Sequence, residues 1–199
     1  MKSQTPCEGG GSGEKSEILI RAANDKDIQD IVSVVNKAYK RGEDIKRKDV
    51  HRTNMEQVST LISSSDEEIW VATVGPQIVG CVLFEPNYEG DRHGLWSGQY
   101  GRKDNEKISY MGMLSVNPEF QRRGIGGKLA KHCEQLTIHR GNKKIVLCCV
   151  STQAKVITMY RKFGYQEVGR HEWPEDFKVK NIRDEFHSTY FVEMSKTLE

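Results

Sequence analysis

VNPEFQRRGIGGKLA, Val116 to Ala130, decides the fold: a strand ends, a turn rich in arginine and glycine follows, and a helix begins. A helix start carries unpaired backbone N–H groups and the positive end of the helix dipole, and residues without a Cβ let a phosphate reach those groups. Gly124, Gly126 and Gly127 supply that access, Arg122 and Arg123 add charge suited to a pyrophosphate, and Lys128 lies in the same first turn. Two other phosphate turns do not fit. A Walker A loop needs Ser or Thr after its lysine and a glycine at a fixed offset before it, whereas Lys128 is followed by Leu129 and lacks that glycine. A dinucleotide fingerprint needs a third glycine where Leu129 stands.

Outward from this turn, KISYMGMLSV (Lys107 to Val116) reads as the strand that enters it. Ile125, Leu129, Cys133 and Leu136 keep helical spacing after it, and the helix stops near Gly141. KKIVLCCV (Lys143 to Val150) is a continuous apolar run, as expected of a strand covered on both faces, and AKVITMYRKFG (Ala154 to Gly164) returns to helix. Strand, helix, strand, helix predicts two parallel strands in the middle of a sheet, joined by right-handed crossovers.

Further upstream, EILIRAA (Glu17 to Ala23) predicts a strand and Asn24 the N-cap of an amphipathic helix over Asp25 to Lys40. A weaker helix follows over Met55 to Ile62. EIWVATV (Glu68 to Val74) and QIVGCVLFE (Gln77 to Glu85), split by Gly75 and Pro76, predict a hairpin. YQEVG (Tyr165 to Gly169) and STYFVEMSKTL (Ser188 to Leu198) close the pattern as strands, with HEWPEDFKVKNIRDEFH (His171 to His187) read as a charged loop. Residues 1–16, rich in Gly and Ser, read as a flexible tail, and residues 17–199 as one domain.

The order Gln121, Arg122, Arg123, Gly124, Ile125, Gly126 resembles the acetyl-CoA signature Q/R-x-x-G-x-G/A of the GNAT superfamily, and MYRKFGY (Met159 to Tyr165) resembles a later segment of the same family. The resemblance runs from about Glu17 to Leu198. It implies an α/β (α+β) GNAT fold: a mixed six- to seven-stranded sheet whose central parallel strands splay around acetyl-CoA, flanked by about four helices. It further implies that backbone of Met113, Leu114 and Val116 contacts the cofactor and that the Leu114 N–H serves as oxyanion donor. Residues Gln121 to Lys128 would then grip the diphosphate, and Tyr160 would protonate the departing thiolate. An ordinary tyrosine, with a pKa of about 10, is protonated at neutral pH and can donate to a thiolate.

The chain departs from family patterns at two positions. Gln153 stands where many relatives carry an asparagine, seven residues before Tyr160, and Met111 stands where relatives acting on histone lysine place a glutamate base. Glu85, at a strand end, and Tyr110, on the central strand, are the remaining candidates to take a proton from the amine. Two segments, Pro86 to Lys107 and His171 to His187, could carry specificity. In them Glu89, Asp91, Glu175 and Asp176, with Glu85, could attract a cationic amine while Trp96, Tyr100 or Trp173 stacks on it.

Composition sets limits. Thirty basic against twenty-eight acidic residues, a net charge of +2, give no field that argues for nucleic acid or an anionic membrane, and Arg122, Arg123, Lys128 and Lys131 are a single basic helix start. No apolar run approaches the roughly 20 residues of a membrane span. Five cysteines, Cys7, Cys81, Cys133, Cys148 and Cys149, show neither disulfide nor zinc spacing and fit a reducing, cytoplasmic setting. His93, His132, His139, His171 and His187 lack ligand spacing, so no metal is expected. The expected activity is direct acetyl transfer to a primary amine of a small molecule by a monomer or homodimer. Acetylation of a protein lysine or N-terminus, and a non-catalytic acyl-CoA-binding module, are the alternatives.

Overall fold

The first half of the sheet follows the sequence pattern closely. In the computed structural model, which describes residues 17–40, 45, 51–88 and 107–199, β1 (Ile18–Ala22), β2 (Glu68–Val74) and β3 (Gln77–Glu85) are antiparallel neighbours. Gly75 turns β2 into β3 at a φ of +56°, a left-handed conformation that glycine adopts without a Cβ clash. Between β1 and β2 lie α1 (Ile28–Lys40) and α2 (Met55–Ser63).

Asn24 is the expected cap, but it opens a 3-10 turn, Asp25–Asp27, that leads into α1. Its side chain accepts from the Lys26 N–H at 3.1 Å, while the Asp27 carboxylate accepts from the Asn24 N–H at 2.9 Å. Arg21 on β1 grips both Asp27 oxygens at 2.6 and 2.8 Å. That fork, more than any other contact, holds the Asp27 carboxyl below the ordinary carboxylate range.

The second half contains β4 (Ile108–Val116), α3 (Ile125–His139), β5 (Lys144–Val150) and α4 (Ala154–Lys162), in the order read from the sequence. After them come β6 (Gln166–Glu172), α5 (Glu175–Asn181) and β7 (Tyr190–Thr197). The sheet runs β1-β2-β3-β4-β5-β7-β6. Its one parallel pair, β4 with β5, sits at the centre, as a buried crossover requires.

Helices α3 and α4 cover one face, where Ile125, Leu129 and Ile157 meet Val82, Met111 and Leu147. The opposite face takes α1 and α2 over β2 and β3, through Ile31, Val35 and Val58. Farther along the same face, Ile45, Tyr88, Tyr110, Trp173 and Ile182 form a third cluster.

The segment after β6 departs from expectation. Instead of a charged loop it forms α5 and a 3-10 turn, Asp184–Phe186, making five helices among the described residues where about four were expected. Its charges are ordered along a helix: Glu175 and Asp176 occupy the first turn and Lys178 and Lys180 the last, matching the dipole. Trp173, read as a surface stacking residue, is buried instead. Its ring stacks on Phe177 at 5.5 Å, packs on Phe191 at 4.0 Å, and donates its indole N–H to Thr189 at 3.0 Å. The tail of residues 1–16 lies outside the described residues.

Close packing at Gly80 seats α3 against the sheet. A Cβ at Gly80 would stand 2.9 Å from the Ser115 carbonyl oxygen and 3.1 and 3.2 Å from the Ile125 and Leu129 side chains. Backbone on one side and helix on the other leave little room to yield. Gly80→Ala is expected to cost about 1–3 kcal/mol, read as a lower urea midpoint at unchanged slope.

Candidate acyl-transfer site

A bulge on β4 shapes the site. Gly112 pairs with Leu83 and Ser115 with Cys81, so Met113 and Leu114 together oppose Val82. Met113 has a φ of +51°, a left-handed conformation that costs a side-chain-bearing residue on the order of 1 kcal/mol. The buried Ser115 hydroxyl donates to the Met113 carbonyl at 2.9 Å and secures the kink. The extra residue resets the alternation: Met113 packs toward α1, while Leu114 and Val116 pack toward α3 and α4.

The sheet opens beside this bulge. Pairing of β4 with β5 runs through Ile108 with Lys144, Ser109 with Ile145 and Tyr110 with Val146, and then ceases. Among the described residues, β5 goes on to Val150 paired with β7 alone, and β4 to Val116 paired with β3 alone. The facing edges of the two central strands therefore diverge, and their polar groups are left for a partner other than sheet.

The arginine and glycine turn lies at the end of β4. Asn117 donates its N–H to Val79 at 2.8 Å and caps the Glu119 N–H at 3.2 Å, starting a 3-10 turn, Pro118–Phe120. The helix does not follow this 3-10 turn directly. Arg122 and Gly124, at φ of +66° and +79°, reverse the chain first, and α3 begins at Ile125. Gln121 ties the turn back by donating its side-chain amide to the Val116 carbonyl at 3.2 Å.

Gly124 caps α3 without a side chain, and the Lys128 N–H is the first to be used inside the helix, on the Gly124 carbonyl at 3.0 Å. The amides of Ile125, Gly126 and Gly127 precede it, with no hydrogen-bond partner among the described residues. Access to them is open: a Cβ on Gly124 would touch nothing within 4 Å, and one on Gly126 only Val116, at 3.7 Å. Gly127 differs, since a Cβ there would stand 3.3 Å from the Phe163 ring, so it serves helix packing as well. Ile125 contributes its amide alone, its side chain being core. Arg122 and Lys128 are exposed, and Arg123 lies over the Phe120 ring at 4.9 Å.

Tyr160 on α4 belongs to the core between α3, α4 and the sheet and is only 5 % exposed. Its ring meets Tyr165 edge-on at 5.5 Å and Phe163 at 6.4 Å. Burial above all, then Cys149 and Tyr39, pushes its pKa well above that of an ordinary tyrosine. Tyr39 belongs to α1, on the other face of the sheet from α4. Gln153 is the N-cap of α4; its carbonyl accepts from Val156 and Ile157, and its side chain makes no cap.

On the α1 side, Glu85 and Tyr110 are register partners on β3 and β4 and so share a face. Glu85 is 3 % exposed. Tyr110 stacks on Tyr88 at 4.9 Å and 21°, and its ring fills the space a Gly112 Cβ would need, with the hydroxyl oxygen 2.9 Å from that position. The hydroxyl is thereby laid along β4 toward the bulge. Burial, then Cys148, Tyr88 and Glu85, raises its pKa far above the ordinary value, against a smaller pull from Arg52.

Asn142 donates to the Pro86 carbonyl and to Ser109, holding the exit of β3 beside Tyr88. Met111, in the place of a glutamate base, is core. Glu175 pairs with Lys178 at 2.6 Å on α5, and Glu89, Asp91, His93, Trp96 and Tyr100 lie outside the described residues. Sequence reading did not single out Ser115, Arg52 or Asn142, and Tyr39 entered it only as one of the apolar residues spaced along α1.

Three features fit the long, polar, diphosphate-bearing donor that the signature suggests: the unpaired strand edges, the free amides at the start of α3, and the open space over Gly124 and Gly126. Residues 29–165, more than half of the chain, match the family model described as "Acetyltransferase (GNAT) family". Among solved structures, smu.2055 from Streptococcus mutans aligns over 91 % of this chain and 99 % of its own, at a TM-score of 0.66 and 19 % identity. The ribosomal-protein-S18-alanine N-acetyltransferase from Escherichia coli aligns over 92 % and 95 %, at 0.64 and 12 %. yncA from Salmonella typhimurium, in a structure with its cofactor acetyl-CoA, aligns over 92 % and 94 %, at 0.62 and 14 %. Fold, site and family model agree: the chain belongs to the GNAT acetyltransferase family, whose cofactor is acetyl-CoA.

Proposed function

We propose that the protein transfers an acetyl group from acetyl-CoA directly to a primary amine on a small molecule. The observation that carries this reading is the opening between β4 and β5, with free helix amides on one side and a buried carboxylate beside a tyrosine on the other. Acetyl-CoA supplies an acetyl group activated as a thioester, with sulfur as the leaving atom. Amides of Ile125, Gly126 and Gly127, with the side chains of Arg122, Arg123 and Lys128, would hold the diphosphate, and the strand edge from Met113 to Val116 the arm that follows. Gln121 acts on this site by fixing the turn, and Gln153 by its place at the head of α4.

In the transfer the amine nitrogen bonds to the acetyl carbon as the carbon–sulfur bond breaks. The proton lost by nitrogen must find a base, and the sulfur needs a proton or a strong hydrogen bond. Tyr110 is a poor base, because its hydroxyl keeps its proton across the physiological range. That leaves Glu85 to take the proton, with Tyr110 orienting the amine. Tyr160 also stays protonated and would donate to the sulfur, while the Leu114 N–H in the bulge would face the acetyl oxygen. Holding the reactants together in this gap removes an entropic barrier on the order of 7–11 kcal/mol.

One contact favours a small acceptor over a lysine or N-terminus of a protein. The Arg183 N–H donates to the Ile45 carbonyl at 2.9 Å, joining the α1–α2 connection to the segment between β6 and β7. Ile45 and Ile182, the neighbour of Arg183, are buried in the cluster with Tyr110, so this contact closes the chain over that face.

Tyr160→Phe should lower kcat about 100-fold, within the range of a lost general acid, while CoA affinity stays unchanged. Equal turnover would remove Tyr160 from the chemistry, and no turnover by either form on any amine would favour a binding module. Gly126→Asp separates binding from folding. A carboxylate fits the first turn sterically and suits the dipole, so stability should hold or rise by about 0.3–1 kcal/mol. Repulsion of the diphosphate should weaken CoA binding about tenfold or more by calorimetry.

A further inference from the structure

Arg52 is held in place by another side chain. Its N–H and that of Thr53 both donate to Asn36 Oδ1, at 3.0 and 3.2 Å, and Asn36 Nδ2 donates to the Thr53 carbonyl at 3.0 Å. One asparagine of α1 thus fixes the chain just before α2 against the last turns of α1. The guanidinium then lies over the Tyr39 ring, 5.3 Å from its centre. Tyr39 packs against the cluster that contains Leu83 and Met113, the two strands at the bulge. Arg52 therefore stands over the β3–β4 bulge on the side away from α3 and the diphosphate turn.

No carboxylate among the described residues lies within ion-pair distance of this half-buried cation, whereas Arg21, Lys178 and Lys196 are each matched, by Asp27, Glu175 and Glu134. Among the described residues this half-buried guanidinium has no anion, and its planar fork suits a carboxylate that a ligand supplies. Its charge reaches the Tyr110 hydroxyl, where it opposes the effect of Glu85. Glu85 and Tyr110 are register partners on one face of β3 and β4, and a zwitterion carries both an amine to meet them and a carboxylate to meet Arg52.

We infer that Arg52 anchors a carboxylate of the acceptor, so that the amine acetylated is that of an amino acid or a close analogue, its nitrogen turned toward Glu85 and Tyr110. The inference rests on the acetyltransferase reading and adds the acceptor class to it. It also reverses the electrostatic expectation from sequence, in which acidic residues alone would draw in a purely cationic amine.

The test uses matched amines with and without the carboxylate: L-phenylalanine with phenethylamine, L-leucine with isoamylamine, and L-lysine with cadaverine, followed by thiol release from acetyl-CoA. The wild-type chain should favour the carboxylate-bearing member of an accepted pair by about 10- to 100-fold in kcat/KM, as expected for a charge-assisted contact. Arg52→Gln should bring that ratio near one, chiefly by raising KM for the acid, and Arg52→Lys should restore part of it. CoA affinity and thermal stability, measured on the same variants, show whether the fold is intact. Preference for the carboxylate-free amines, equal loss on both members in Arg52→Gln, or no acetylation of any pair by a protein that binds CoA would each overturn the inference. Failure to bind CoA would instead bring down the acetyltransferase reading beneath it.

Discussion

Everything at the centre of this protein depends on a hydrogen-bond ladder that stops early. β4 and β5 pair over three residues, up to Tyr110 and Val146, and then each strand keeps only its outer neighbour. An abandoned edge inside a sheet is expensive, since backbone amides and carbonyls buried without partners each cost on the order of 1–3 kcal/mol. The fold offsets that cost from outside the gap. β5 is fully paired with β7, and the Met113 bulge, secured by Ser115, turns β4 so that its far half can leave β5 while remaining paired with β3. A polar ligand that hydrogen-bonds along such an edge completes the sheet.

The opening also divides the labour of the two faces. On one, Gly80 lets α3 lie close to β3 and β4, which brings its unfilled first turn to the end of the diverging strand. On the other, Glu85 pairs in register with Tyr110, Tyr110 stacks on Tyr88, and Arg52 lies over Tyr39 of α1. On the proposed reading the site runs through the sheet, with helix amides for the diphosphate on one face and ionisable side chains on the other.

Much of this was legible in the residues. Helical spacing from Ile125 to Leu136 and the continuous run through Val150 announced the central crossover, and Cys148 and Cys149 fall on opposite faces as neighbours in a strand must. Gly124 and Gly126 announced the open helix start. The bulge was hidden, because a methionine in the left-handed region has no sequence signature and is imposed by pairing with β3. α5 was hidden because its charges obscured a short helix whose order comes from burying Trp173. Arg52 was hidden because only the Asn36 clasp, a contact between distant residues, brings its loop onto α1 beside Tyr39.

Hydrogen–deuterium exchange with and without CoA reads the central claim most directly, since it reports on individual stretches of backbone. If the diverging edge and the helix start hold the cofactor, protection should rise over Leu114 to Val116 and over Ile125 to Gly127 and stay flat along β1, β2 and β6. Protection elsewhere, with these two stretches exchanging as before, would contradict the account.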